Sequence, residues 1–249
     1  MPPGTTKLRI SRIYTKKDLQ PDTGLSLDEK ASHYVSKVLR LRLGDPLVIF
    51  NGDGFDYAAE VITVGKKVTE LALHARLPAA AESGLQITLV QAVSRGERMD
   101  ISLQKATELG VSNIQLLLTD HVEVRFDEKR LNSRMSHWSG VIIAACEQSG
   151  RAIVPGLYPP ILLEAWLSME SSALRLALEP VSDHSLSGQS FGDKTVEILV
   201  GPEGGFSDME LKKLKVAAVT TVSLGPRILR TETAGPAAIA VLQALAGDF

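Results

Sequence analysis

The stretch VEILVGPEGGFSDME, residues 196–210, combines three structural signals. An apolar run ends at Val200, and the next five residues hold three glycines and a proline. Ser207 and Glu210 then have the spacing of a capping box, which starts a helix. This order predicts a buried strand, a loop and a helix. The loop would lie at the carboxyl end of the strand, which is where open α/β sheets bind ligands. Glycines admit a ligand close to the backbone and equally permit a tight turn, so the loop alone leaves both alternatives open.

A second loop of the same kind follows. SLGP (223–226) repeats the order of LVGP (199–202), in which a strand runs into Gly-Pro. The polar residues between it and an apolar C-terminal helix are Arg227, Arg230, Thr231, Glu232 and Thr233. Thr231 or Thr233 is expected to cap that helix, with Glu232 in its first turn. Capping needs no arginine, whereas arginine beside a ligand loop orients an anion or a carbonyl-rich group. The paired loops favour a small-molecule site.

Strand and helix patterns alternate through the rest of the C-terminal part. Strands are predicted for QITLVQAV (86–93), NIQLLLT (113–119), LRLALE (174–179), VEILV (196–200) and TTVSL (220–224). Helices are predicted for residues 97–110 and 127–150, each closed by a glycine. Such alternation is typical of a parallel sheet that helices cover on both faces.

The N-terminal part has a different pattern. Apolar runs at 46–50, 55–64 and 66–77 are joined by glycine turns, which predicts antiparallel hairpins in a small β-barrel. One helix is expected from a capping box of Ser26 and Glu29, with Tyr34, Val35, Val38 and Leu41 on its apolar face. The turn-prone segment PAAAESG (78–84) separates two expected domains, residues 1–77 and 85–249.

Composition limits the class of protein. The chain is 44% hydrophobic and 22% charged, as is typical of a globular protein, and no apolar stretch reaches the ~20 residues of a membrane span. The N-terminus lacks the apolar core of a secretory signal, and the single Cys146 excludes an internal disulfide, so a cytoplasmic location is expected. Residues 1–77 carry 12 Lys+Arg against 9 Asp+Glu, a net charge of +3, whereas the remainder carries −5. This asymmetry favours a polyanion as partner of the N-terminal part.

The sequence contains segments that resemble phosphate-binding and dinucleotide-binding motifs, but their residues do not have the required spacing. GQSFGDKT (188–195) has one residue too few for a phosphate-binding loop, and GDGFDY (52–57) lacks the third glycine of a dinucleotide fingerprint. The histidines are His33, His74, His121, His137 and His184. Their spacing is not that of a metal site, so no metal is predicted. Cys146 lies in an apolar helix pattern and is interpreted as a buried, inert thiol.

Four separated motifs resemble one known family. They are QKATELGV (104–111), AACEQSGR (144–151), LVGPEGGFSDMEL (199–211) and SLGPRILRTETA (223–234). They resemble the bacterial methyltransferases that modify uridine N3 in 16S ribosomal RNA, within the SPOUT class of S-adenosylmethionine enzymes. HYVSKVLRLRLGD (33–45) is similar to the PUA-like RNA-binding domain of that family. The resemblance implies an α/β C-terminal domain with a trefoil knot in its parallel sheet, an N-terminal PUA-like β-barrel and a homodimer.

The resemblance also implies site residues. The cofactor-binding residues would be Leu199, Val200, Gly201, Pro202, Glu203, Gly204, Gly205, Leu224, Gly225, Pro226, Ile228, Leu229, Arg230, Thr231, Glu232 and Thr233. Methylation at uridine N3 requires loss of the N3 proton and stabilisation of negative charge on O2 and O4. Arg230 is the candidate stabiliser, and Glu232 or Glu203 is the candidate proton acceptor.

The expected partner is ribosomal RNA of the small subunit, free or within an assembled subunit. The candidate RNA-binding residues are Arg9, Arg12, Lys37, Arg40 and Arg42. Many family members have arginine in place of Lys37, and lysine keeps a phosphate contact but not bidentate recognition. Two alternatives stay open, a ribose 2′-O-methyltransferase of the same class and a non-catalytic RNA-binding assembly factor.

Overall fold

The computed structural model describes residues 10–65, 67–122, 127–191 and 195–249. It divides into two compact units. One comprises the chain up to Ala81 together with Cys146–Val154, and the other comprises Glu82–Ala145 with Pro155–Phe249. The first break therefore falls inside the turn-prone segment 78–84. The sequence pattern did not indicate that residues 146–154 belong with the N-terminal unit.

The N-terminal unit is built on a mixed five-stranded sheet in the order β1-β3-β4-β5-β2. Its strands are β1 Arg12–Tyr14, β2 Gly24–Ser26, β3 Pro46–Phe50, β4 Phe55–Thr63 and β5 Glu70–Pro78. The hairpins β3–β4 and β4–β5 are antiparallel, as predicted, whereas β1 runs parallel to β3. Within the described residues β1 and β2 stand at the two ends of the sheet, so it forms a curled half-barrel.

The N-terminal helix begins differently from the prediction. Asp28 is its N-cap, and its carboxylate accepts a 2.8 Å hydrogen bond from the Ala31 amide. Ser26 ends β2 instead, so the predicted capping box of Ser26 and Glu29 was wrong. Helix α1, Glu29–His33, continues into a single π-helical turn, Tyr34–Val38. This turn ends the helix before Leu41, which packs against the core from the following loop.

The C-terminal unit contains a six-stranded sheet, in which every pair is parallel, in the order β11-β9-β10-β6-β7-β8. Its strands are β6 Gln86–Ala92, β7 Asn113–Leu118, β8 Gly156–Leu162, β9 Leu174–Leu178, β10 Thr195–Val200 and β11 Thr220–Val222. All five predicted strands are present. The sixth, β8, was not predicted because it contains Pro159 and Pro160. Proline is tolerated there because β8 is an edge strand.

Helices cover both faces of this sheet, as predicted. They are α2 Glu97–Glu108, α3 Glu128–Ser149, α4 Leu163–Leu167, α5 Asp208–Val216 and α6 Thr231–Ala246. On one face α6 approaches closely, since a Cβ added at Gly235 would lie 3.3 Å from the Leu89 side chain. On the other face Trp166 and Leu214 form one buried cluster with Leu199. No helix among the described residues is both long and apolar enough to span a membrane.

Candidate active site

Three neighbouring strands end around a cavity of about 630 Å³. The loop 201–205 follows β10, the loop 223–230 follows β11, and residues 178–180 end β9. Because β9 lies between β10 and β11, the parallel strands bring all three segments to the same edge of the sheet. The volume is within the range of small-molecule sites. This is the edge where α/β sheets bind ligands.

Most residues of the candidate cofactor site line this cavity. They are Val200, Gly201, Pro202, Glu203, Gly204, Gly205, Leu224, Gly225, Ile228, Leu229, Arg230, Thr231 and Glu232. Leu199, Pro226 and Thr233 do not line it. Leu199 is fully buried in the core beneath the site, where it packs with Val90. The structure thus brings together two loops that are separated in sequence.

The cavity also has lining residues that were not predicted. Leu178, Glu179 and Pro180 come from the end of β9, and Arg98 comes from the first turn of α2. An apolar run that meets proline at Pro180 was the available sequence signal. Its relation to the glycine loop depends on strand order, which local patterns do not reveal. The other unpredicted lining residues are Phe206, Leu211, Val222, Ser223 and Ala234, whereas Arg227, which also lines the cavity, belongs to the polar cluster noted in the sequence.

Contacts within the protein or backbone conformation explain why each of three positions in the loop 201–205 is a glycine. A Cβ at Gly201 would lie 3.2 Å from the Phe206 ring, and one at Gly204 would lie 3.1 Å from the His121 Cβ. Gly205 has φ +70°, a conformation that side chains disfavour. The tight-turn alternative therefore accounts for these glycines, because packing and turn geometry shape the cavity wall.

Thr231 links the two cavity loops. Its hydroxyl donates to the Gly201 carbonyl at 3.0 Å and accepts from the Gln91 amide at 3.0 Å. Helix α6 begins at Thr231, after Arg230 as the N-cap residue, and Arg230 makes no side-chain capping bond. The prediction that Thr231 or Thr233 caps this helix was therefore wrong, because the Thr231 hydroxyl bonds to the neighbouring loop instead.

Arg230 and Glu232 differ strongly in exposure. The Arg230 side chain is 78% exposed, whereas that of Glu232 is 14% exposed. The Arg230 guanidinium and the Glu232 carboxylate are 4.0 Å apart. Glu232 Oε2 is buried and has no hydrogen-bond partner among the described residues. Since buried acceptors are normally satisfied, this oxygen is suited to a donor group of a ligand in the cavity.

Glu203 is paired with Arg98. The Arg98 guanidinium donates to Glu203 Oε1 at 2.8 Å. Partial burial would raise the pKa of the Glu203 carboxyl, but hydrogen bonds from the backbone at Glu203 and Arg95 and from Arg98 together lower it below its ordinary value. A carboxylate that is held ionised by a cation is a weak proton acceptor, which argues against Glu203 as the base.

A second cavity, of about 1130 Å³, adjoins the first and shares Arg98, Glu203 and Gly204 with it. Its remaining lining residues are Val93, Arg95, Gly96, Glu97, Asp120, His121 and Val122. They follow the carboxyl ends of β6 and β7, the next two strands of the sheet. His121 Nδ1 lies 3.1 Å from the carbonyl oxygens of both Gly204 and Gly205. The sequence signal for His121, a polar segment directly after a predicted strand, was overlooked.

The candidate RNA-binding residues divide into two groups. Lys37, Arg40 and Arg42 are exposed, and in the described part of the chain their side chains make no ion pair. Arg12 is 11% exposed and forms a bidentate pair with Asp56 at 2.6 and 3.2 Å. It also donates to the carbonyls of Cys146 and Arg151, and its guanidinium stacks on Phe50.

These contacts join segment 146–154 to the N-terminal sheet. They engage all three guanidinium nitrogens of Arg12 and argue against its predicted role as a phosphate ligand. Arg9 lies outside the described residues.

Comparisons with known proteins agree with this architecture. Residues 81–243 match the family described as RNA methyltransferase domain, and residues 27–68 match the RNA methyltransferase PUA domain. Ribosomal RNA small subunit methyltransferase E of Buchnera aphidicola is 34% identical over 97% of this chain and 96% of its own length.

Two solved structures resemble the whole chain. A methyltransferase of Legionella pneumophila, in complex with the cofactor SAM, has a TM-score of 0.94 and 38% identity over 97% of this chain and all of its own. Ribosomal RNA small subunit methyltransferase E of Neisseria gonorrhoeae, bound to S-adenosyl methionine, has a TM-score of 0.90 and 35% identity, with 96% of this chain and 99% of its own covered. The predicted fold class is confirmed as a SPOUT-type parallel-sheet unit with a PUA-like N-terminal unit, and the chain belongs to the RNA methyltransferase family.

Proposed function

We propose that this protein transfers a methyl group from S-adenosylmethionine to N3 of a uridine in 16S ribosomal RNA. The observation that carries the proposal is the first cavity, which is enclosed by backbone loops at the ends of β9, β10 and β11 and contains one unpartnered carboxylate oxygen. Relatives named ribosomal RNA small subunit methyltransferase E, at up to 34% identity, support the choice of substrate.

The donor set of the cavity fits this cofactor. S-adenosylmethionine carries an ammonium group, ribose hydroxyls and an adenine, all of which donate hydrogen bonds. Glu232 Oε2 is an acceptor without a partner in the described structure, and the exposed backbone of the loops 201–205 and 223–229 offers further carbonyl and amide groups. We therefore assign cofactor binding to these loops and to Glu232. The cofactor supplies an electrophilic methyl group.

We assign to Arg230 the stabilisation of the negative charge that develops on the uracil. Loss of the N3 proton places negative charge on O2 and O4, and a preorganised cation stabilises such charge. The Arg230 guanidinium lines the cavity and is 78% exposed, so it is accessible to a nucleotide that approaches from solvent. The Glu232 carboxylate lies 4.0 Å from the guanidinium and leaves it accessible.

The PUA-like unit is assigned to RNA binding. Lys37, Arg40 and Arg42 lie within the segment that matches the PUA domain family, on the π turn and in the loop after it. In the sequence, exposed Val38 lies between Lys37 and Arg40, and exposed Leu43 follows Arg42. An apolar and cationic surface suits ribose and phosphate contacts. By the family resemblance we further propose a cytoplasmic homodimer with a trefoil knot, which acts on small-subunit RNA either free or assembled.

Nucleoside analysis tests the proposed function. Small-subunit RNA is incubated with the protein and methyl-labelled cofactor, then digested to nucleosides. We expect the label in N3-methyluridine. Label in a 2′-O-methylnucleoside would replace this proposal with ribose methylation. A chain that binds no S-adenosylmethionine by calorimetry and transfers no label would act only as an RNA-binding factor.

A further inference from the structure

We propose that the second cavity receives the target uracil and that His121 Nε2 accepts its N3 proton. This inference rests on the proposed function and adds the base that the candidate carboxylates do not provide. The structural observation behind it is the contact of His121 Nδ1 with two carbonyl oxygens of the glycine loop, at 3.1 Å each.

These two contacts define which nitrogen carries the proton when the ring is neutral. The carbonyl oxygens of Gly204 and Gly205 only accept hydrogen bonds, so Nδ1 must carry the proton that is shared between them. In the neutral imidazole one nitrogen carries hydrogen and the other is an acceptor. Nε2 is therefore the basic nitrogen of His121, and the loop that borders the cofactor cavity determines this.

The position of His121 is set from two sides. On one side its ring packs on Gly204, where an added Cβ would lie 3.3 Å from Nδ1. On the other side the preceding residue is restrained, because the Asp120 amide donates to Glu210 Oε1 at 2.9 Å and its carboxylate accepts from Ser207 at 2.6 Å. A restrained ring with a defined tautomer is preorganised for proton transfer.

The second cavity also complements the edge of uracil. The edge around N3 presents an acceptor, a donor and an acceptor, which are O2, N3–H and O4. His121 offers an acceptor, and Arg95 and Arg98, which line the same cavity, add donors to the one that Arg230 supplies from the adjoining first cavity. Since the two cavities share Arg98, Glu203 and Gly204, a uracil in the second cavity lies beside the methyl donor in the first.

Two acidic groups of the second cavity, Glu203 and Asp120, are less suitable as the base. Among the residues that the structure describes, the charged groups around His121 are Arg95, Glu97, Arg98, Asp120, Glu203 and, behind Asp120, Glu210 and Lys213. Glu203 is paired with Arg98, and Asp120 accepts from Ser207. Arg98 stabilises the ionised form of Glu203, in agreement with the lowered pKa of that carboxyl, and the Ser207 hydroxyl already occupies one oxygen of Asp120.

The proposed step is balanced. The N3–H bond breaks and its proton moves to His121 Nε2, which leaves the imide nitrogen with its electron pair. That pair forms the N3–CH₃ bond, while the electron pair of the S–CH₃ bond stays on sulfur. The products are N3-methyluridine, the neutral thioether S-adenosylhomocysteine and an imidazolium, which afterwards releases its proton to solvent.

The tautomer is testable without cofactor or RNA. In ¹⁵N NMR of the uniformly labelled protein, with His121→Asn used for assignment, neutral His121 should show a protonated Nδ1 and an unprotonated Nε2. A neutral ring with its proton on Nε2 would overturn the proposal, because that nitrogen would have no free electron pair for the N3 proton.

Catalysis is tested with the His121→Asn variant. The asparagine amide keeps an N–H donor for the loop carbonyls and removes the basic Nε2. We expect unchanged cofactor affinity and a fall of ~10²-fold or more in single-turnover transfer at neutral pH, the usual contribution of a general base. The difference in transfer rate between the variant and wild type should become smaller as pH rises, because solvent hydroxide then removes the N3 proton.

The matched control is His137→Asn, on α3, where His137 contacts Asp100 at 2.8 Å outside both cavities. It should retain wild-type rates and the wild-type pH profile. Near-normal transfer by His121→Asn with an unchanged pH profile would refute the proposal. If the wild-type protein itself forms no N3-methyluridine, the proposed function fails instead, and the ¹⁵N result still decides the tautomer.

Discussion

The Thr231 hydroxyl donates to the carbonyl of Gly201 across 30 residues of sequence. The same oxygen accepts from Gln91, so one side chain joins β6, the loop after β10 and the start of α6. Both hydrogen bonds are 3.0 Å long and Thr231 is buried. The first cavity is therefore held in shape by a contact among three distant segments.

We predict that Thr231→Val destabilises the protein by about 1–3 kcal/mol, because the isosteric side chain leaves the Gln91 amide and the Gly201 carbonyl without this partner. Affinity for S-adenosylmethionine should fall in parallel. Chemical denaturation and calorimetry measure the two effects. Thr233 lies two residues further along α6 and is exposed. It provides the control Thr233→Val, which should change neither the stability nor the cofactor affinity. Equal stability of the two variants would contradict the assigned role of Thr231.

Glu232→Gln tests the carboxylate whose Oε2 has no hydrogen-bond partner among the described residues. The substitution keeps the size of the side chain but removes the charge of an acceptor that lies in the cavity wall. Because hydrogen bonds to charged groups contribute about 1.5–3 kcal/mol, the Kd for the cofactor should rise about tenfold or more. Isothermal titration calorimetry measures this change. An unaltered Kd would show that Glu232 does not contact the cofactor.

Local signals in the sequence predicted some features fully. The capping box of Ser207 and Glu210 is present with both of its hydrogen bonds, since a cap depends only on residues within one turn. The glycine after α2, Gly110, has φ +87° and ends the helix as expected. The Ser26 prediction failed because Asp28, two residues later, offers a carboxylate at the true helix start.

Non-local features were beyond the sequence pattern. The contribution of residues 178–180 to the cavity follows from the position of β9 between β10 and β11. The spacing of His121 from the other histidines fits no metal site, so no role was predicted for it. Its notable contacts are with two backbone carbonyls more than 80 residues away. Arg12 shows a further non-local effect, since the guanidinium of this candidate RNA-binding residue is paired with Asp56 inside the N-terminal unit.

Arg12→Ala should unfold the N-terminal unit at lower denaturant concentration. Removal of one partner from a nearly buried pair leaves Asp56 uncompensated and costs about 3 kcal/mol. Arg76→Ala is the matched control, because Arg76 stacks on Phe55 from an exposed position. Circular dichroism during urea denaturation compares the variants. A similar small loss for both would show that the Arg12 network contributes little.

The exposed cations are tested by salt dependence. Replacing Lys37 and Arg40 with alanine should weaken RNA binding, and the slope of log K against log salt should become shallower by about one unit for each lost phosphate contact. Cofactor affinity should not change. Fluorescence anisotropy with a labelled small-subunit RNA fragment at several salt concentrations measures the slope. An unaltered slope would show that Lys37 and Arg40 do not contact phosphates of the RNA.

Single-turnover methyl transfer to small-subunit RNA, with wild type, Arg230→Ala and the exposed control Lys212→Ala, tests the central claim most directly. Wild type and Lys212→Ala should form N3-methyluridine at the same rate. Arg230→Ala should fold, bind cofactor and form the same product ~10²-fold more slowly, because one electrostatic donor is lost from the transition state. Label in any nucleoside other than N3-methyluridine would contradict the claimed reaction, and a normal rate for Arg230→Ala would contradict the role of Arg230.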